Sequence, residues 1–265
     1  MCPETRIIVQ SPDTDLLVLC TTHFSDISHE ELWFRTGVRD HHRYVPVHLT
    51  CQKLGQKLCK ALPAFHALTG CDTTSVIAGV GKKKAWEVLW RSEAHHKSLQ
   101  MVGLSPTLND ICRVKCEKFI CALYPTVKKP LSTADKLRYL MFCQKRHKSE
   151  LLPPTSDSIC PHARRATYQT YIWRMTLTAR QDLPPPEENG WEKTADTLRP
   201  HYMTKDPAPN SLLELTTYQC RKSTCPSNCS CANINLACTQ ASICMGSVES
   251  CSNPHSTLVD TDHDD

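Results

Sequence analysis

The first apolar stretch of the chain, Ile7-Ile8-Val9, is short and β-branched, and predicts a buried strand over residues 6–10. Ser11-Pro12 comes next and has the form of a helix cap with proline at the first helical position, which places Asp13 and Asp15 where strand turns into helix. Residues 31–37 (ELWFRTG) and 43–49 (RYVPVHL) are further strand candidates, separated by the polar turn 38–42. Leu54, Leu58, Leu62 and Phe65 then recur at helical spacing, and Pro63 predicts two helices there rather than one. Another helix is expected from Gly81 through Trp90, and residues 110–180 read as helical, with Ser132 three residues before Asp135 as a capping-box-like start. Tyr168, Tyr171 and Trp173 fall at helical spacing and read as a packed face. The run Pro184-Pro185-Pro186 ends that helical stretch, and residues 184–217 read as linker. Strands first and helices afterwards predict an α/β fold with a separate C-terminal module.

Composition adds two things to this picture. Of 31 Lys/Arg and 27 Asp/Glu, three and seven lie beyond residue 200, so residues 1–200 carry 28 basic against 20 acidic side chains. A basic body favours a polyanionic partner. Ten of the 17 cysteines are scattered through residues 1–160 and read as small buried hydrophobes; the other seven cluster between Cys220 and Cys251. The first residues lack the basic start and apolar core of a secretion signal, and no stretch approaches the apolar length of a membrane span, so neither secretion nor a membrane is expected. The expected location is intracellular and nuclear, where clustered cysteines hold metal rather than form bridges.

Two carboxylates, Asp13 and Asp15, at the carboxyl end of a strand lie where open α/β sheets place their sites. Taken alone, each would equally serve as a cap or a solvated first-turn acid, as would Asp72. With Asp72 they could supply oxygen ligands to Mg²⁺ or Mn²⁺. Seven residues beyond Asp72 come Gly79-Val80-Gly81 and then Lys82, Lys83 and Lys84 at a helix start. Glycines let backbone N–H groups approach a phosphate, and the lysines would neutralise its neighbours. His41-His42 and His95-His96 read as solvated pairs on surface turns.

The ordered set formed by SPDTDLLVL and LTGCDTTSVIAGVGKKKAWEVL resembles the flap-endonuclease-like branch of the PIN-domain nucleases over about residues 5–95. The resemblance implies a parallel sheet with a helix-hairpin-helix. It makes Asp13, Asp15 and Asp72 catalytic acids that hold magnesium, and Gly79, Gly81, Lys82, Lys83 and Lys84 a DNA-backbone contact. Further acids that the family draws from the first half of its domain have no counterpart before Asp13. The expectation is therefore an incomplete PIN-like domain over 1–112, truncated at its start, that binds branched or flap DNA and cleaves it weakly or not at all. A helical extension (113–183) and the linker (184–217) come after it. An active endonuclease, when complete or paired, and a protein-interaction scaffold are the alternatives. Open reading frames of mobile elements pair such parts.

Cys220, Cys225, Cys229, Cys231, Cys238, Cys244 and Cys251 lie on a polar, loop-rich segment, and thiolates so spaced suit tetrahedral Zn²⁺. The first five resemble the tesmin-like CXC module, a DNA-binding zinc cluster, although Tyr218 stands where that family opens with cysteine. A zinc-binding module over 218–252 and an acidic, disordered tail over 253–265 complete the expected organisation.

Overall fold

The computed structural model describes residues 6–37, 41–124, 131, 133–144, 151–194 and 197–205, and beyond these residues 227, 229–233, 238, 244 and 251–254. The chain divides into two units, Met1–Thr204 and Lys205–Asp265.

Strand β1 (Ile7–Gln10) leads into helix α1 (Thr14–His23), which returns to β2 (Leu32–Thr36). β2 runs parallel to β1, with Ile7 opposite Leu32 and Val9 opposite Phe34. β3 (Arg43–Pro46) adds to the other edge of β2 in the antiparallel sense, so the sheet is mixed rather than all-parallel. The polar segment between β2 and β3 is too short for a crossover, and only an antiparallel partner can be joined that way. Leu32 and Phe34 alternate with half-buried Trp33 and Arg35 and pack with Val47 against Leu17 and Cys20 of α1. RYVPVHL is not one strand: β3 stops at Pro46, and helix α2 (Val47–Leu54) begins immediately.

Asp13, not Ser11, caps α1, and Pro12 lies outside the helix. Ser11 Oγ instead accepts from the Asp13 N–H at 3.0 Å. Helix α3 (Gln56–Leu68) is buried on almost every side, as befits a helix at the centre of a bundle. Pro63 does not interrupt it. A proline inside a helix strips the carbonyl four residues back of its donor. That carbonyl belongs to Cys59, and the Thr22 hydroxyl donates to it at 3.3 Å instead. The break falls at Gly55, whose φ of 74° a side chain would strain, and it separates α2 from α3.

Helices α4 (Lys82–Trp90), α5 (Glu93–Gln100), α6 (Asp110–Ala122), α7 (Ala134–Cys143) and α8 (Ser156–Arg174) complete the bundle. Leu58, Leu68, Leu89, Leu99, Phe119, Ile120, Leu137, Ile159 and Trp173 belong to one continuous core, so the helices of 113–183 share it with those of 56–102. Tyr168 and Trp173 are buried, as a packed face requires, and Tyr171 is half-buried. His95-His96 lies in α5 rather than on a turn: His95 meets the Phe119 ring edge-on at 5.4 Å, and His96 Nε2 lies 2.9 Å from the Leu89 carbonyl. His41 and His42 are exposed. Thr133 caps α7; Ser132 lies outside the described residues. The span 184–217 is structured in its described part, with a 3-10 turn (Pro186–Asn189) and a hairpin of β4 (Trp191–Thr194) and β5 (Thr197–Pro200). Residues 206–217 and the tail from 255 lie outside the described residues. No described helix is long and apolar enough to cross a membrane.

Candidate functional site

The junction of β1 and α1 holds the first acidic pair. Asp13 adopts extended backbone, and its carboxylate accepts from the Asp15 N–H at 2.8 Å, which satisfies one of the free donors that open α1. Asp15, in the first helical turn, turns its own carboxylate towards α3, where Oδ1 lies 2.7 Å from His66 Nε2. His66 is the polar exception on a face of α3 otherwise made of Leu62, Phe65 and Leu68, and its side chain is only 6% exposed. Burial pushes the His66 imidazole below its ordinary value and the Lys82 ammonium adds to that, while the hydrogen bond with Asp15 opposes both. The ring is therefore neutral at pH 7, with its proton on Nε2 facing Asp15 and the Nδ1 lone pair facing Lys82 Nζ at 3.3 Å.

Lys82 opens α4, yet its ammonium folds back onto the end of α3. It donates to the His66 carbonyl at 3.2 Å, to Thr69 Oγ1 at 3.1 Å and to the Gly70 carbonyl. The last carbonyls of a helix have no donor of their own, and a cation there also meets the negative end of the helix dipole. Burial lowers the Lys82 pKa, and the nearby Cys71 and Asp15 oppose that shift. All three lysines are exposed as residues, but Lys82 is engaged in tying α4 to α3, whereas Lys83 and Lys84 have no ion pair or hydrogen bond among the described residues.

The two glycines before α4 differ. Gly79 has φ of +70°, and a Cβ there would lie 2.7 Å from Leu151 Cδ2, so the fold itself demands glycine. Gly81 has φ of −73°, and nothing lies within 4 Å of a Cβ built on it. Neither conformation nor crowding requires glycine at 81, and no side chain caps the helix that starts there. The start of α4 is an open backbone terminus flanked by two exposed lysines, an arrangement suited to an anion.

Asp72 sits on the turn 71–74, closed by the Cys71–Thr74 bridge and tied to α8 by a 2.8 Å bond from Thr73 Oγ1 to Gln169 Oε1. Its own carboxylate is exposed, with no ion pair or hydrogen bond among the described residues. Groups of three possible metal ligands within 4.8 Å of one another occur among the described residues only as cysteines. Asp13, Asp15 and Asp72 do not form such a group, and the carboxylates of Asp13 and Asp15 already accept hydrogen bonds within the fold. These three residues as placed do not fit a two-metal magnesium centre.

The second unit supplies a candidate metal site of a different kind. Cys229, Cys231 and Cys238 bring their sulfurs together, as do Cys238, Cys244 and Cys251, so Cys238 belongs to both groups. The Sγ atoms of Cys229 and Cys238 lie 3.6 Å apart. Two thiolates on one tetrahedral zinc, with Zn–S near 2.3 Å, stand about 3.8 Å apart, whereas a disulfide needs about 2.05 Å. The spacing fits zinc. The Ala232 N–H donates to Cys229 Sγ at 3.4 Å from the short helix Ser230–Asn233, and the Asn253 amide donates to Cys238 Sγ at 3.2 Å. Such donors stabilise thiolate over thiol. Burial raises the Cys238 thiol, but hydrogen bonds from Asn253 and Cys251 outweigh it and leave Cys238 below the ordinary thiol value. These cysteines could hold a metal ion such as zinc. Cys220 and Cys225 lie outside the described residues.

Sequence reasoning misses His66 and the inward role of Lys82. The signal for His66 is there to be read: a lone imidazole on the apolar face of AFHAL. Compared with protein families, with curated proteins and with solved structures, the chain matches none.

Proposed function

We propose that this protein binds the backbone of DNA, flap or branched DNA in particular, through the start of α4, and carries a zinc-stabilised cysteine unit at its C-terminus. The observation that carries the proposal is Gly81, a glycine that neither φ nor packing requires. It leaves an uncapped helix start open beside exposed Lys83 and Lys84. A backbone phosphate there meets free N–H groups, the positive end of a helix and two cations at once. The excess of 28 basic over 20 acidic residues before position 200 supports the same partner. The helix-turn arrangement of α3, the 69–81 connection and α4 is read as a helix-hairpin-helix on a scaffold of PIN-like nuclease descent. Asp13 and Asp15 serve as helix cap and histidine partner on this reading, and the protein binds without efficient hydrolysis.

The test is incubation of the reduced, zinc-loaded chain with end-labelled flap DNA, with and without Mg²⁺ or Mn²⁺. The expected result is retention of DNA without shortening, with Asp72→Asn leaving affinity unchanged or raised because it removes a negative charge. Robust cleavage abolished by Asp13→Asn, Asp15→Asn and Asp72→Asn alike would restore an endonuclease.

A further inference from the structure

One face of the three-stranded sheet plays no part in the DNA-binding proposal. Ile7, Val9, Leu32, Phe34 and Val45 point to one side and pack with Leu17 and Cys20 of α1. Residues alternate between faces along a strand, and the register brings Ile8, Trp33, Arg35 and Tyr44 together on the other side. Ile8 is 53% exposed, Tyr44 52%, and Trp33 is half-buried. None of the three packs into either apolar core of the first unit. A sheet covered on one side ordinarily turns polar residues to water on the other. Here an isoleucine and two aromatic rings stand on the wet side. Trp33 and Tyr44 are diagonal neighbours across β2 and β3, a separation of about 7–8 Å.

The charge of the sheet selects what covers it. β1, β2 and β3 contain Arg35 and Arg43 and no acid. Glu31, just before β2, is already engaged: its Oε2 accepts from Trp33 Nε1 at 3.0 Å and from Arg6 Nε at 2.7 Å. The bond from Trp33, then that from Arg6, hold the Glu31 carboxyl below its ordinary value. The same carboxylate thereby fixes the Trp33 ring and neutralises Arg6. Arg35 differs. It makes no ion pair among the described residues; its Nη1 donates to Gln10 Oε1 at 3.0 Å, and its guanidinium carbon lies 5.9 Å from the Tyr44 ring centre. The open face therefore interleaves aromatic rings with a cation that has no carboxylate partner. A second copy of the chain would set this positive face against itself, which like charges oppose. A polyanion that also carries flat apolar groups matches both features.

We propose that this face binds an unpaired DNA strand, with bases stacked on Trp33 and Tyr44 and a neighbouring phosphate paired with Arg35. Stacking on aromatic side chains beside basic residues is how proteins hold single strands without reading their sequence. The site does not rest on the start of α4: the sheet takes a single strand whether or not that helix takes a duplex.

Fluorescence anisotropy of the reduced, zinc-loaded full-length chain tests this with two labelled probes, an oligothymidylate and an abasic strand of equal length and charge. The oligothymidylate should bind tighter by about tenfold or more, because the abasic strand keeps the phosphates and loses the bases. Tyr44→Ala should weaken oligothymidylate binding by about fivefold or more, and Tyr44→Phe, which keeps the ring, should not. Both variants should keep the wild-type urea midpoint, since Tyr44 is exposed. Arg35→Gln should flatten the salt slope by about 0.7, the value of one phosphate contact on a single strand. Lys83→Ala/Lys84→Ala should leave oligothymidylate affinity within about threefold of wild type. Equal affinity for the abasic strand, or wild-type affinity in Tyr44→Ala, would overturn the proposal. So would loss of oligothymidylate binding in the double lysine variant alone. A polyglutamate peptide that displaces the oligothymidylate at equal concentration would mark the face as a protein-docking surface and overturn it as well.

Discussion

Lys82→Met separates the structural lysine from the two beside it. Methionine keeps most of the aliphatic stem and removes the ammonium, which donates to the His66 and Gly70 carbonyls and to Thr69 Oγ1 and faces His66 Nδ1. A hydrogen bond to a charged group is worth about 1.5–3 kcal/mol and a cation at a helix C-terminus about 0.3–1 kcal/mol. Lys82 as a residue is exposed, so solvent screening cuts the sum sharply. A loss of about 1–2 kcal/mol remains, spread over three acceptors that water can partly reach. For a unit of the size of Met1–Thr204 that lowers Tm by about 3–6 °C. Lys83→Met and Lys84→Met, which remove exposed side chains, should change stability by less than about 0.5 kcal/mol. Thermal unfolding of the three variants, followed by far-UV circular dichroism at fixed zinc, measures all of this. If Lys82→Met melts with wild type and instead weakens DNA binding as Lys83→Met does, the ammonium is not the tie between α3 and α4.

Two further outcomes rest on the same geometry. The reduced full-length chain should carry roughly one to two zinc ions. Cys238→Ser, which removes the sulfur common to both cysteine groups, should lose more metal by mass spectrometry than Cys244→Ser; equal retention by both would contradict the shared role. Burial holds the imidazoles of His66, His95 and His162 below their ordinary value. The unfolded chain then binds more protons than the folded one, so their contribution is complete about one unit or more above the free value of about 6.5 and is lost as pH falls through that value towards the folded ones. The urea midpoint should drop between about pH 7.5 and about pH 5.5, and a flat profile would show that these rings are not buried in solution.

Much of the frame is legible in the sequence. Ile7-Ile8-Val9 and Leu32-Trp33-Phe34 announce strands through β-branched and aromatic runs, and both form. What misleads is chemistry supplied at a distance. Pro63 breaks a helix by its local rule, and Thr22, 37 residues away from Cys59 and in α1, supplies the missing donor to the Cys59 carbonyl. Ser11-Pro12 satisfies the pattern of a helix start, but Asp13 captures the cap because its carboxylate reaches the Asp15 N–H. β3 is legible but its end is hidden, because RYVPVHL alternates like a strand past the point where Val47 turns into α2. At the candidate site the acids and glycines can be named from spacing alone. That Lys82 points inward cannot, since its acceptors lie 12 to 16 residues away, at the end of a different helix. The burial of Arg165 is likewise invisible, because the Gly190 carbonyl that it binds lies in a stretch that reads as linker.

The salt dependence of DNA binding tests the central proposal most directly. Filter binding of labelled flap DNA across a salt series, with wild type and the double variant Lys83→Ala/Lys84→Ala, gives the slope of log affinity against log salt. Removing one phosphate contact flattens that slope by about 0.9 for duplex DNA, so the double variant should bind more weakly and show a slope shallower by about one to two units. Wild-type slope and affinity in the double variant would remove the start of α4 from DNA recognition.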